Sequence, residues 1–200
     1  MSNEKIVTPL GDLEWINIDG EGVENLSGKM VYRASLVLDG DKAEALKAKI
    51  DTFWKENKPS GFKKPAKSLG YKDHTVKNQE TDEYEETGKT VFTFSTATTF
   101  PDGQAKVIKT YNAKNRVVAL GETKIGNGSK GAISGVMAIY GPTKTKEAGV
   151  SLYIDAIQIT KLVEFSQDAG FGAVDDEDGW TGDDHDFQSA DDSENGKVRI

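Results

Sequence analysis

No cysteine occurs among the 200 residues, which excludes disulfides, thiolate metal sites and cysteine nucleophiles. The two histidines, His74 and His185, lie 111 positions apart, a poor start for a histidine-based metal or catalytic cluster. No apolar run approaches the ~18 residues that a membrane span needs. The opening Met1-Ser2-Asn3-Glu4-Lys5 lacks the basic and apolar regions of a signal peptide. Hydrophobic residues are also sparse, at 36%, so a packed core is expected for one domain and not for the whole length.

Negative charge is abundant but confined. The net charge is −8, yet residues 166–200 hold 11 acidic groups against Lys197 and Arg199 alone, a net of −9. Residues 1–165 hold 22 acids and 23 bases and are close to neutral. Within them the bases cluster. Residues 47–77 carry nine lysines against three acids, and residues 104–146 carry eight bases against Glu122. A basic surface attracts polyanions, and a tethered polyanion can occupy it at high effective concentration.

Period-2 alternation dominates the body. Residues 28–38 place Met30, Tyr32, Ala34, Leu36 and Leu38 on one face and Arg33 on the other. Strands are also expected over residues 13–19, 90–100, 105–111, 116–120, 131–140 and 150–165. In the last of these the apolar phase slips from Val150, Leu152 and Ile154 to Ile157 and Ile159, as a bulge produces in a strand bent around a small barrel. One helix is expected over residues 42–57, with Asp41 as its N-cap and Leu46, Ile50, Phe53 and Trp54 as its apolar stripe. Residues 57–89 are polar and punctuated and read as a loop with at most short structure. The fold class is therefore mainly β, an antiparallel barrel with one docked α-helix. Beyond Phe165 periodicity vanishes, and residues 166–200 read as a disordered acidic tail.

Motifs for chemistry fail on inspection. Gly126-Asn127-Gly128-Ser129-Lys130-Gly131 fits a dinucleotide fingerprint as a string, but that fingerprint needs a helix after it, and a β-alternating run follows. The expected role is a flexible loop carrying Lys130 at the barrel mouth. The acidic tail fails the calcium-loop pattern at both ends, at Val174 and His185. No paired carboxylates stand out, so no catalytic residue, metal or cofactor is assigned.

What survives is basic and aromatic, the composition that holds single-stranded nucleic acid through phosphate contacts and base stacking. Parity turns Tyr140 and Tyr153 outward, puts Lys109 and Tyr111 on one face, and leaves Tyr32, Phe92 and Phe94 for the core. Lys106, Arg116, Lys130 and Arg33 complete the candidate set. The segment 58–72, with Lys63 and Lys64, interleaves lysines with Phe62 and Tyr71 like a mobile clamp over a strand.

At this point the chain resembles the single-stranded DNA-binding proteins of tailed bacteriophages. The resemblance rests on Ile125-Gly126-Asn127-Gly128-Ser129-Lys130-Gly131 leading to Ala138-Ile139-Tyr140-Gly141. It continues through Ala148-Gly149-Val150-Ser151-Leu152 to Ile157-Gln158-Ile159-Thr160-Lys161-Leu162-Val163-Glu164-Phe165. It implies an OB-fold domain over 1–165, with a Lys-rich then acidic loop at 59–88, and a tail over 166–200. It implies a non-enzymatic protein that binds single strands with little sequence preference in DNA replication, recombination and repair, in the cytoplasm of an infected bacterium. A base would stack where Tyr140 stands. The tail would mimic DNA and recruit the phage polymerase or other replication proteins, through Asp175, Asp176, Glu177, Asp178, Trp180, Asp183, Asp184, Asp186 and Phe187. The tails of the family finish on an aromatic, whereas this one ends Lys197-Val198-Arg199-Ile200. A homodimer is left open, and no membrane partner is expected. The rival expectation is a structural phage β-protein whose acidic segment keeps it in solution.

Overall fold

Strands form where one parity is apolar, and the best case is Met30–Leu38, where Tyr32, Ala34, Leu36 and Leu38 are all buried. A computed structural model of the chain describes residues 3–121 and 123–165. The strands are β1 (Asn3–Val7), β2 (Gly11–Asn17), β3 (Val23–Glu24), β4 (Met30–Leu38), β5 (Tyr71–Lys77), β6 (Tyr84–Ala97), β7 (Lys109–Tyr111), β8 (Val117–Val118), β9 (Ser129–Tyr140) and β10 (Gly149–Lys161), with helix α1 (Gly40–Asn57) between β4 and β5. Among the described residues no helix is long and apolar enough to cross a membrane.

Five of these strands close on themselves. β2 pairs β4, β4 pairs β6, β6 meets β10, β10 pairs β9, and β9 returns to β2. Taken in chain order, barrel strands one to three are consecutive neighbours, the fifth joins the third in parallel at Leu152 and Phe94, and the fourth closes onto the first. That is the OB-fold connectivity, a mainly β barrel with one docked helix. β1 adds to the outer edge of β9, β3 to β4, and β7 and β8 extend from β10.

Closure requires bending. β10 has a register shift between Ile154 and Ala156, at the place where the apolar phase slips, so Ile154 and Ile157 both face inward and are fully buried. β9 approaches β10 so closely that a Cβ at Gly131 would meet the Gln158 carbonyl, and one at Gly135 the Tyr153 carbonyl. Phe92 and Phe94 of β6, with Ile133 and Met137 of β9, fill the interior.

Helix α1 presents Leu46, Ile50, Phe53 and Trp54 to the same core. It starts earlier than the sequence suggests. Asp39, extended at φ −125°, is the N-cap without a side-chain cap bond, and Asp41 falls in the first turn. Lys58 ends it because the residue before Pro59 disfavours the helical region.

The expected loop 57–89 holds the largest correction. It contains β5, and β6 begins already at Tyr84, so a hairpin pairs Thr75 with Glu86 and Lys77 with Tyr84. Both faces of this hairpin tip meet solvent, which erases the alternation that marks a half-buried strand. The segment before it, read as a clamp, is anchored at both ends. Phe62 packs edge-on against Trp54 at 5.7 Å between ring centroids. Lys67 and Gly70 are tied to neighbouring backbone at Ala148 and Thr93.

Because the obstacle at Gly135 is a backbone carbonyl that no rotamer can move, Gly135→Ala is expected to cost about 1–3 kcal/mol of stability. Urea unfolding checks this, and an unchanged midpoint would show that β9 and β10 have room to spare.

Candidate functional site

The outer face of the second and third barrel strands carries the polar residues that alternation left over. Arg33 and Ser35 point outward from β4, and Thr93 and Ser95 pair with them from β6. A cavity of about 270 Å³ lies over Trp15, Arg33, His74 and Thr93. A second, of about 450 Å³, lies over Lys67, Ser95, Ser151 and Tyr140. Lys72 and Thr93 line both. The two cavities therefore make one trough across β4 and β6 towards β10.

The trough is cationic where it counts. Neither Arg33 nor Lys72 has an ion-pair partner among the described residues. The Arg33 Nε is moreover buried without a hydrogen-bond partner, an uncompensated desolvation. His74 is held rigidly at the floor, its Nδ1 2.8 Å from Thr87 Oγ1 and its Nε2 3.2 Å from Glu14 Oε2. Lys67 closes the other end in an exposed pair with Glu147 at 3.2 Å. Lys67 in turn holds the Glu147 carboxyl below its usual range.

Tyr140 stands at that end, half-buried, against Gly149, where any Cβ would collide with its phenol. Burial first, and the Glu147 charge second, push its phenol above the usual value. Tyr71, also on the trough wall, donates a 2.7 Å hydrogen bond to Asp51 Oδ1. Burial and then that bond push its phenol up as well.

The ten sequence candidates do not share this trough. Arg33 and Tyr140 line it. Lys64 lies close enough to Glu147 to act on its charge, and Lys63 is an exposed neighbour in the same segment. Lys106 and Lys109 line a different, apolar cavity of about 450 Å³ with Tyr32 and Leu120, where the Lys106 ammonium bonds Thr96 Oγ1 and sits 5.0 Å from the Phe100 ring centre. Tyr111 lines a third cavity of about 300 Å³ beside Gln158. Arg116 is exposed in a turn whose backbone is tied to Asn112. Tyr153 is outward and 41% exposed on β10. Lys130 is engaged by the Asp12 carboxylate rather than free at a mouth.

The glycine-rich loop also differs from expectation. Gly126 and Gly128 donate to the Val163 and Leu13 carbonyls, and the fully buried Ser129 hydroxyl donates to Gly126. It is a fastened loop that starts β9, not a flexible one. The tail residues 166–200, with Trp180 and Phe187, lie outside the described residues. Among the described residues no three of His, Asp and Glu come together as a metal site would need.

Sequence reading missed Trp15, Lys67 and Lys72 as trough residues. Lys67 and Lys72 were present only as members of a lysine run. Trp15 shares the parity of the buried Leu13 and so looks like core.

No protein-family model and no curated protein sequence matches the chain. Solved structures do share its fold. The single-stranded DNA binding protein gp2.5 encoded by bacteriophage T7 superposes with a TM-score of 0.60 at 16% identity, over 90% of this chain and 98% of that one. The C-terminally truncated single-stranded DNA-binding protein of bacteriophage Enc34 gives 0.57 at 16% identity, over 80% and 87%. The same protein in complex with ssDNA gives 0.57 at 17% identity, over 81% and 89%.

The raised Tyr71 phenol makes an alkaline prediction. The unfolded chain releases this proton near ~10 and the folded one later, so the stability is intact below pH ~10 and is lost as pH rises towards the folded value. Tyr71→Phe is expected to cost about 1 kcal/mol at neutral pH and to flatten the decline above pH ~10. Urea midpoints measured from pH 8 to 11 check both.

Proposed function

We propose that the chain is a sequence-nonspecific single-stranded DNA-binding protein that uses the trough as its strand path. The observation that carries this is the pairing of unneutralised cations, Arg33 of β4 and Lys72 of β5, with the Tyr140 ring at the end of β9, all lining one trough over barrel strands two and three, the strands whose face takes oligonucleotides in OB-folds. Phosphates need the cations, and bases with exposed π-faces need the ring. Thr93, Ser95 and Ser151 supply hydroxyls that suit a sugar–phosphate backbone without reading a base. The fold neighbours support the reading, because one of them is itself in complex with ssDNA.

Lys67, Lys63 and Lys64 extend the cationic end beyond Tyr140. Lys106, Lys109, Arg116 and Lys130, with Tyr111 and Tyr153, stand elsewhere on the barrel, and the four cations add to the field that steers a polyanion inward. In this reading the protein does no chemistry of its own and serves phage DNA replication, recombination and repair in the host cytoplasm. The 166–200 segment, with a net charge of −9, competes for the trough as an intramolecular polyanion. Its acids around Trp180 and Phe187 would also recruit the polymerase or another replication protein.

Titration of labelled oligo-dT at several salt concentrations tests the proposal. Tyr140→Ala is expected to weaken binding by about 1–3 kcal/mol. Arg33→Ala should reduce the slope of log K against log salt by about 0.7. Absence of salt-dependent retention on single strands by the full chain would reject the reading. Removal of residues 166–200 should tighten binding, and unchanged affinity would reject the competing tail alone.

A further inference from the structure

Trp15 is a large ring left exposed on the barrel. Its indole is 69% exposed, although burying a ring of that size is among the largest stabilisations open to a side chain. Its backbone sits at φ +52°, in the left-handed region where a bulky residue is strained. Both facts arise from one local event. The β2–β4 register shifts between Glu14 and Asn17, so Trp15 leaves the inward parity of Leu13, which is fully buried. In a regular strand the ring would point into the barrel.

The strained conformation is held from outside the strand. The Trp15 backbone N–H donates a 2.8 Å hydrogen bond to Asn127 Oδ1, from a residue 112 positions away. Asn127 is itself fixed, because Gly126 and Gly128 on either side of it are bonded to Val163 and Leu13. The side chain so presented borders the trough beside Arg33, at the end opposite Tyr140. A strained backbone and an exposed indole both work against simple stability, the long-range hydrogen bond holds them in place, and the product is a flat ring next to an unpaired guanidinium. Observed strain of this kind points towards function.

We infer that Trp15 is a second base-stacking platform at the Arg33 end of the trough, and that Asn127 is its positioning residue. The inference rests on the trough being the polynucleotide path. A single strand crossing β4 and β6 would then be gripped by rings at both ends, with Arg33 and Lys72 on the phosphates between them. Unstacked bases would be taken in preference to duplex, whose π-faces are already occupied.

The test uses the full chain carrying Trp180→Phe, so that emission comes from Trp15 and from Trp54, which is 9% exposed on the inner face of the helix. Addition of oligo-dT should quench the emission and protect the exposed component from acrylamide. Trp15→Gly relieves the left-handed strain, so it should leave the melting temperature unchanged or raised. It should at the same time weaken oligo-dT binding by about 5- to 150-fold, the equivalent of about 1–3 kcal/mol. Asn127→Ala should weaken binding less and shrink the quench, with the far-ultraviolet spectrum unaltered. Binding of oligo-dT without quenching or acrylamide protection would overturn the role of Trp15, whatever the fate of the glycine variant. So would an unchanged affinity in a folded Trp15→Gly protein. An unmutated chain that fails to bind oligo-dT at all would instead overturn the trough as a strand path, and this inference with it.

Discussion

Five strands make a closed wall only if the wall bends, and bending here is bought with bulges and glycines. Across the shift between Ile154 and Ala156, β10 stays paired with β9 on one edge and passes from β6 to β7 on the other without taking Ile157 out of the core. Gly131 and Gly135 let β9 lie against β10 where no other residue fits. A second irregularity, between Glu14 and Asn17, lets β2 bridge β9 and β4. The barrel exists because these positions give way.

The same bends make the trough. β4 and β6 curve around a core of Phe92 and Phe94, and over their outward polar residues the Lys67–Gly70 segment forms a rim by hydrogen-bonding to Ala148 and Thr93. The wall that buries Tyr32 and Leu36 is thus the wall that turns Arg33, half-buried, to its outer side. Electrostatics then separates the cations. Lys130 is spoken for by Asp12 and Lys67 by Glu147, while Arg33 and Lys72 have no such partner among the described residues. A polyanion would meet the unpaired ones first.

Much of this was legible in the chain before folding. Parity alone put Tyr32, Phe92 and Phe94 inside and Arg33 and Tyr140 outside, and the phase slip after Ile154 announced the bulge. The stripe Leu46, Ile50, Phe53, Trp54 announced the helix. What was hidden depended on partners far away. Asp12 lies 118 positions from Lys130, and nothing near the glycine-rich loop shows that it would be neutralised there. Trp15 was hidden because a one-strand irregularity reverses its side, and period-2 reading assumes there is none. The β5–β6 hairpin was hidden because both of its faces at the tip are wet, so only cross-strand pairing, not burial, defines it.

The central claim is that one face of the barrel, and no other, receives single-stranded DNA. Amide hydrogen exchange of the full chain with and without saturating oligo-dT tests it most directly. Protection should gather on β4, the second half of β6, the 67–72 segment and the stretch around Tyr140. Protection gathered instead on residues 106–120, or on the exposed side of β9 beside Tyr111, would contradict the account.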